Sequence, residues 1–225
     1  MKKFDYEIID KNNSPEKYKI TKNIISFFNL KFSKTAFLLD DEKYDNLEFY
    51  YDWRNRGRYL DLRDNPVLIC PNSINALISS KIYDHLIWIS SKICDSDNVT
   101  FGWILSHELR HFKQNLENKF IFDASHIIKK YYKWKDTPTE IDADFKAYEI
   151  VLQLFEKEKI NQFFQNNIES KNTDQSTHFI NIQKNFILKN NYNVKKETLD
   201  ILKKIRNDSN EDMGLINDFI LKLSV

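Results

Sequence analysis

WILSHELRHFKQ, residues 103–114, places two histidines four apart with a glutamate directly after the first. Wound as an α-helix at about 100° per residue, His107 and His111 fall about 40° apart, on one face and one turn along. Two imidazoles in that relation can bind one zinc ion. Glu108 lies about 100° round, beside the ion rather than on its line, which suits a base acting on metal-bound water. Phe101, Ile104, Leu105, Leu109 and Phe112 centre about 140° from His107 and form the core face. Ser106, Arg110 and Lys113 take the remaining side, expected to be exposed.

Two histidines leave a catalytic zinc site incomplete, because it needs a third protein ligand and keeps its fourth position for water. The stretch TEIDADFKAYE (139–149) offers one. Glu140 and Asp144 stand four apart on a helix that is otherwise apolar almost all round, through Ile141, Ala143, Phe145, Ala147, Ile150, Val151, Leu154 and Phe155. Such a helix is buried, and buried carboxylates without partners are very costly. A zinc ion with its histidines satisfies both: Glu140 ligates the metal, and Asp144 accepts the free ring N–H of a ligating histidine and fixes its tautomer. Ala143 and Ala147 leave room for the two helices to approach.

His107-Glu108-Leu109-Arg110-His111 followed by Glu140-Ile141-Asp142-Ala143-Asp144 resembles the gluzincin metallopeptidases. The downstream Glu-x-x-x-Asp looks like that of membrane-bound zinc peptidases of the prenyl-protein and heat-shock type. This chain departs from those in having no apolar run long enough to span a membrane. Glu-x-x-Ala-Asp-Phe resembles the soluble ImmA/IrrE-type peptidases of bacteria and mobile elements, which act on repressor proteins. The His-Glu-Leu-Arg-His core is similar to small phage and plasmid peptidases. Arg110 is a departure, since the intervening positions of zinc peptidases are usually uncharged.

The resemblance covers roughly residues 58–155. It implies an α+β, minimal zincin-like domain with a small, mostly antiparallel sheet, HLIWIS (85–90) as the edge strand, the active-site helix and then the glutamate helix. It implies a zinc metalloendopeptidase holding one Zn2+ per chain on His107, His111 and Glu140, with Glu108 as catalytic base and a protein or peptide as substrate. An extended substrate would add to the strand at Leu86–Ser90 through backbone hydrogen bonds. An oxyanion donor is also expected, with Tyr131, Tyr132, Tyr148 and His126 as candidates.

The rest of the chain frames this reading. Net charge is +1, which gives no argument for nucleic acid or an anionic membrane, and hydrophobic content of 41% with 14% aromatic residues supplies a core. The amino terminus lacks the apolar stretch of a signal peptide. Cys70 and Cys94 are too far apart for a thiolate metal pair and read as two buried thiols in a reducing compartment, so a cytoplasmic protein is expected.

Local signals predict a strand at 4–8 and a helix at 15–30 started by Ser14 and Pro15. They predict a hairpin of strands 59–62 and 67–70 around the turn at 63–66, a helix at 72–83, a strand at 85–90 and a polar loop at 91–99. Irregular helix is expected over 117–134. The glutamate helix begins at Pro138, with Thr137 as cap and Glu140 closing a capping box. SKNTDQST (170–177) reads as a linker, dividing a domain of residues 1–168 from a helical appendage, 169–225, with helices near 194–206 and 210–223. The stretch 44–57 carries no assignment.

Two rival readings remain open. A non-catalytic zinc-binding or interaction protein could keep the helix pair, but has no need of Glu108. YYDWRNRGRYLDLRDN (50–65) gathers Arg54, Arg56, Arg58 and Arg63 among aromatic residues and could engage nucleic acid. Their alternation reads more simply as a solvated strand face. His126 and His178 stand alone and read as surface or satisfied histidines, with His126 as a reserve ligand.

Overall fold

The computed structural model describes residues 6–30, 32, 34–43, 57–64, 72–208 and 214–224, which form an α+β fold. Strand β1 (Tyr6–Asp10) leads into helix α1 (Pro15–Phe28), then strands β2 (Thr35–Leu39) and β3 (Gly57–Asp61). Helix α2 (Asn72–Ser80), strand β4 (His85–Ile89) and the one-turn helix α3 (Ser91–Cys94) follow. The long helices are α4 (Asn98–Glu117) and α6 (Pro138–Leu154), separated by α5 (Lys119–Ile128). The chain ends with α7 (Lys157–Ile168), α8 (Thr173–Asn185), α9 (Val194–Asp208) and α10 (Gly214–Ser224). Among the described residues, no helix is long and apolar enough to cross a membrane.

The four strands pair in the order β1-β2-β4-β3. β1 with β2 and β2 with β4 are parallel, and only β3 with β4 is antiparallel, with Tyr59 opposite Ile87. The sheet is therefore mixed, not mostly antiparallel. HLIWI is not an edge strand: β4 is hydrogen-bonded on both sides, and among the described residues β1 and β3 are the outer strands. The physical reason is visible in the residues. All five positions of β4 are buried, as are all five of β2 (TAFLL), and continuous apolar runs belong to strands covered on both faces. β2 lacks the alternation that marks a half-exposed strand, and so escaped the sequence reading.

Alternate side chains serve two cores. Phe37, Leu39, Ile87, Ile89 and Tyr59 pack with α1 and α4. Ala36, Leu38, Leu86 and Trp88 pack with Ile74 of α2 on the other face. Ser14 caps α1 as expected, its hydroxyl accepting the Lys17 N–H at 3.3 Å, with Pro15 in the first turn. The loop expected at 91–99 contains α3, capped by Ser90 and ending on the buried free thiol of Cys94. Residues 62–64 form a 3-10 turn after β3. The expected second hairpin strand, Cys70, Arg54 and Arg56 lie outside the described residues.

The 170–177 stretch holds the start of α8 rather than a loop throughout, with Asn172 capping the helix. Phe179 and Ile182 of α8 join Trp103, Phe163 and Phe164 in one core. The two helices expected near the end are α9 and α10, and both pack on α5 through Leu202, Ile205, Ile216, Phe219 and Leu223.

Candidate metal centre

α4 lies between the sheet and α6, and is covered more completely than its wheel implied. Asp97 caps it, accepting N–H bonds from Val99 and Thr100. The face through Phe101, Leu105, Leu109 and Phe112 enters the main core. The side expected to be exposed is not: Ser106 is fully buried, and Arg110 is clamped by Asp142 at 2.6 Å and Glu117 at 3.0 Å. The cause is α6, which packs along α4 with Ala143 and Ala147 fully buried. The charge of Arg110 is paired in the helix contact and stays clear of the two histidines.

His107 and His111 are each 8% exposed, Glu140 5% and Asp144 4%. Asp144 Oδ1 stands 2.9 Å from His107 Nδ1. A carboxylate only accepts, so that nitrogen carries the hydrogen. Gln114 does the same for His111. Its Nε2 donates to Thr139 O at 2.9 Å and to Asp142 Oδ2 at 2.7 Å, so its Oε1 accepts from His111 Nδ1 at 2.9 Å. In their neutral forms both rings therefore turn Nε2 lone pairs inward. The two Nε2 atoms are 3.0 Å apart, and Glu140 oxygens lie 3.1 Å from His107 Nε2 and 3.5 Å from His111 Nε2.

Zinc–nitrogen bonds of about 2.0–2.1 Å in a tetrahedron would set ligand atoms about 3.3 Å apart, so these three residues fit such an ion. Among the described residues, His107, His111 and Glu140 form a buried group able to hold a metal ion. The field favours positive charge there. Burial opposes an imidazolium at His107, yet Asp144 and Glu140 outweigh it and raise its pKa well above the ordinary histidine value. Burial likewise opposes the Glu140 carboxylate, yet His111 and His107 hold its pKa well below the usual range. The expected capping box is absent. Thr137 sits in the cap position but donates its hydroxyl to Trp134 O, and the Glu140 carboxylate is taken up by the histidines.

Glu108 points from α4 to β3, where its Oε2 accepts the Tyr59 N–H at 2.8 Å. Gly57 makes this approach possible. A Cβ there would stand 2.7 Å from Glu108 Cγ and 2.8 Å from Ile104 Cγ2. Glu108 and the metal group open together on a cleft of about 700 Å³, whose walls include Arg58, Trp103, Phe122 and Phe179.

Two further residues reach the group, and sequence reasoning missed both. His178 of α8 bonds Asp144 Oδ2 through Nε2 at 2.8 Å, so one carboxylate joins two imidazoles. It is a satisfied histidine, but satisfied inside the site rather than at the surface. Lys129, just beyond α5, donates to Glu140 Oε1 at 2.8 Å. His126 lines the cleft but stands outside the three-residue group, while Tyr131, Tyr132 and Tyr148 are not among the lining residues. Of the arginines, Arg58 lines the cleft and Arg63 is held by Asp61 through two side-chain bonds. No protein-family model, curated protein or solved structure matches this chain.

Proposed function

We propose that this chain is a zinc-dependent peptidase that hydrolyses a peptide bond of a protein substrate in this cleft. One observation carries the reading: two Nε2 atoms and a carboxylate converge at 3.0–3.5 Å, with each Nδ1 locked by its own acceptor. Among the described residues the group supplies three ligands, which is the count of a catalytic site that keeps an open position. A purely structural site would want a fourth. Nitrogen-rich ligand sets with one carboxylate suit zinc. The resemblance of the two motifs to gluzincins supports the same assignment.

His107, His111 and Glu140 would hold the ion, which when bound makes a water acidic and polarises the scissile carbonyl. Asp144 and Gln114 keep both rings in the tautomer that presents Nε2. Glu108 takes the proton of the attacking water and passes it to the leaving amine. The Tyr59 N–H holds that carboxylate in place while leaving its second oxygen for the proton. The substrate lies in the cleft beside Gly57, Arg58 and Tyr59 of β3, rather than along β4, which is paired on both sides.

Zinc content measured on protein purified without chelators tests the reading, alongside Glu140→Ala and an assay on an unfolded protein. The expected result is about one zinc per parent chain, a clear loss in the variant, and hydrolysis that a chelator stops. A parent chain that takes up no zinc when it is supplied sinks the proposal.

A further inference from the structure

Peptide hydrolysis requires a donor for the negative charge that develops on the carbonyl oxygen, and the tyrosines expected in that role lie off the cleft. We infer that Lys129 is this oxyanion donor, held on Glu140 until a metal ion takes that carboxylate. The inference rests on the peptidase reading above.

Lys129 follows directly on α5, its backbone N–H closing the last turn on Ser125 O at 3.0 Å. Phe122, His126 and Lys129 are spaced four and three residues apart, and all three line the cleft. His126 is the weaker partner for an anion. Burial, then the Lys129 charge, lowers its pKa and keeps the ring neutral. Lys129 is therefore the cation of that wall. Its side chain is 31% exposed. The ammonium is 2.8 Å from Glu140 Oε1, the same oxygen that lies 3.5 Å from His111 Nε2.

With Glu140 engaged as a metal ligand, its carboxylate would hold Lys129 less firmly. A four-carbon stem with three rotatable N–H donors can then turn to an anionic oxygen in the cleft. In the reaction, the water oxygen bonds to the carbonyl carbon while Glu108 takes the water proton. The C=O π pair moves to the carbonyl oxygen, which accepts an N–H bond from Lys129. Collapse restores C=O and breaks the C–N bond, and the amine leaves with the proton from Glu108. Lys129 keeps its own proton throughout.

The test uses the full chain loaded with cobalt(II), whose visible spectrum reports on its ligands, titrated with inorganic phosphate as the tetrahedral anion. The expected result is that Lys129→Met binds cobalt at least as tightly as the parent, but needs about ten times more phosphate for half-saturation. Lys129→Arg should recover part of the difference. In a peptide assay, Lys129→Met should lower kcat on the order of 10²-fold with little change in KM. Unchanged phosphate binding, or a parent that holds cobalt and ignores phosphate, overturns the inference. So does loss of cobalt in Lys129→Met, which would make Lys129 a prop for Glu140. A parent that binds no cobalt is a different failure: it removes the metal site itself, and this inference with it.

Discussion

Two buried clusters in this protein each combine histidine with carboxylate, and only one asks for something from outside. In the first, Tyr59 OH meets His85 Nδ1 at 3.1 Å, and Asn115 Nδ2 donates to Tyr59 OH at 2.5 Å and to Asp61 Oδ2 at 3.0 Å. Arg63 neutralises Asp61, and burial lowers the pKa of His85 and leaves its ring uncharged. Within that network the Asn115 Oδ1 is left without a hydrogen-bond partner. In the second, the Nδ1 atoms of His107 and His111 are satisfied in the same manner, but the two Nε2 atoms face each other and Glu140. Both clusters set buried histidine against carboxylate, although Arg63 of the first is exposed. Convergence of the second nitrogens on a carboxylate, once the first are held, is what marks His107 and His111 as candidate ligands.

The largest effect that sharpens this contrast is expected from Glu108→Gln. The amide oxygen can still accept the Tyr59 N–H, so zinc should remain, while peptide hydrolysis falls by about 10³-fold. Activity near that of the parent would refute a role for Glu108 as base. Next is the support behind the ligands. Asp144→Asn or His178→Ala should weaken zinc binding by roughly 10- to 100-fold, as losing the partner of a ligating imidazole does. Asp61→Asn, in the first cluster, should leave zinc affinity unchanged. Competition with a chromogenic chelator measures all three, and equal losses would dissolve the distinction between the clusters.

Gly57→Ala acts at the boundary. Its new Cβ meets Glu108 Cγ, Ile104 Cγ2 and Ile89 Cδ1 at 2.7–2.8 Å, so the base must move. We expect about 1–3 kcal/mol of overpacking, read as a lower Tm, and hydrolysis reduced about tenfold with zinc retained. A variant as active as the parent would show that Glu108 tolerates displacement.

The smallest effect concerns acid. Burial alone would raise the Asp61 pKa, but Arg63 and Asn115 lower it to about 2 from 3.8. A depressed carboxyl stabilises the fold above its unfolded value and loses that contribution as pH falls towards its folded value. Chemical denaturation at pH 4 and pH 2 should therefore show the parent losing about 1 kcal/mol more than Asp61→Asn, after allowing for solvent around Arg63. Parallel curves would mean the pair contributes nothing measurable.

The two helices of the metal group were readable because their evidence is local. Residues four apart share a face whatever the fold, and Pro138 marks the start of α6 within its own turn. The sheet was less readable. TAFLL and HLIWI are buried throughout and apolar after their first residues, Thr35 and His85, and such a run says that a strand is covered without saying which strands cover it. Ser106 and Arg110 looked exposed because a helical wheel knows nothing of α6. His178 and Lys129 were missed for the same reason. Their partners Asp144 and Glu140 stand 34 and 11 residues away on another helix, and nothing around either residue marks it.

The sequence by itself determined that two histidines share one helix face and that two carboxylates share another, because helical spacing is a property of neighbouring residues. It also determined that those carboxylates need partners, since the apolar residues around them enforce burial. Only the tertiary structure decided that the two faces meet, that β3 rather than β4 lies beside Glu108, and that Lys129 and His178 complete the surroundings. Those are contacts between segments far apart in the chain, set by which surfaces pack together, and no local pattern carries that information.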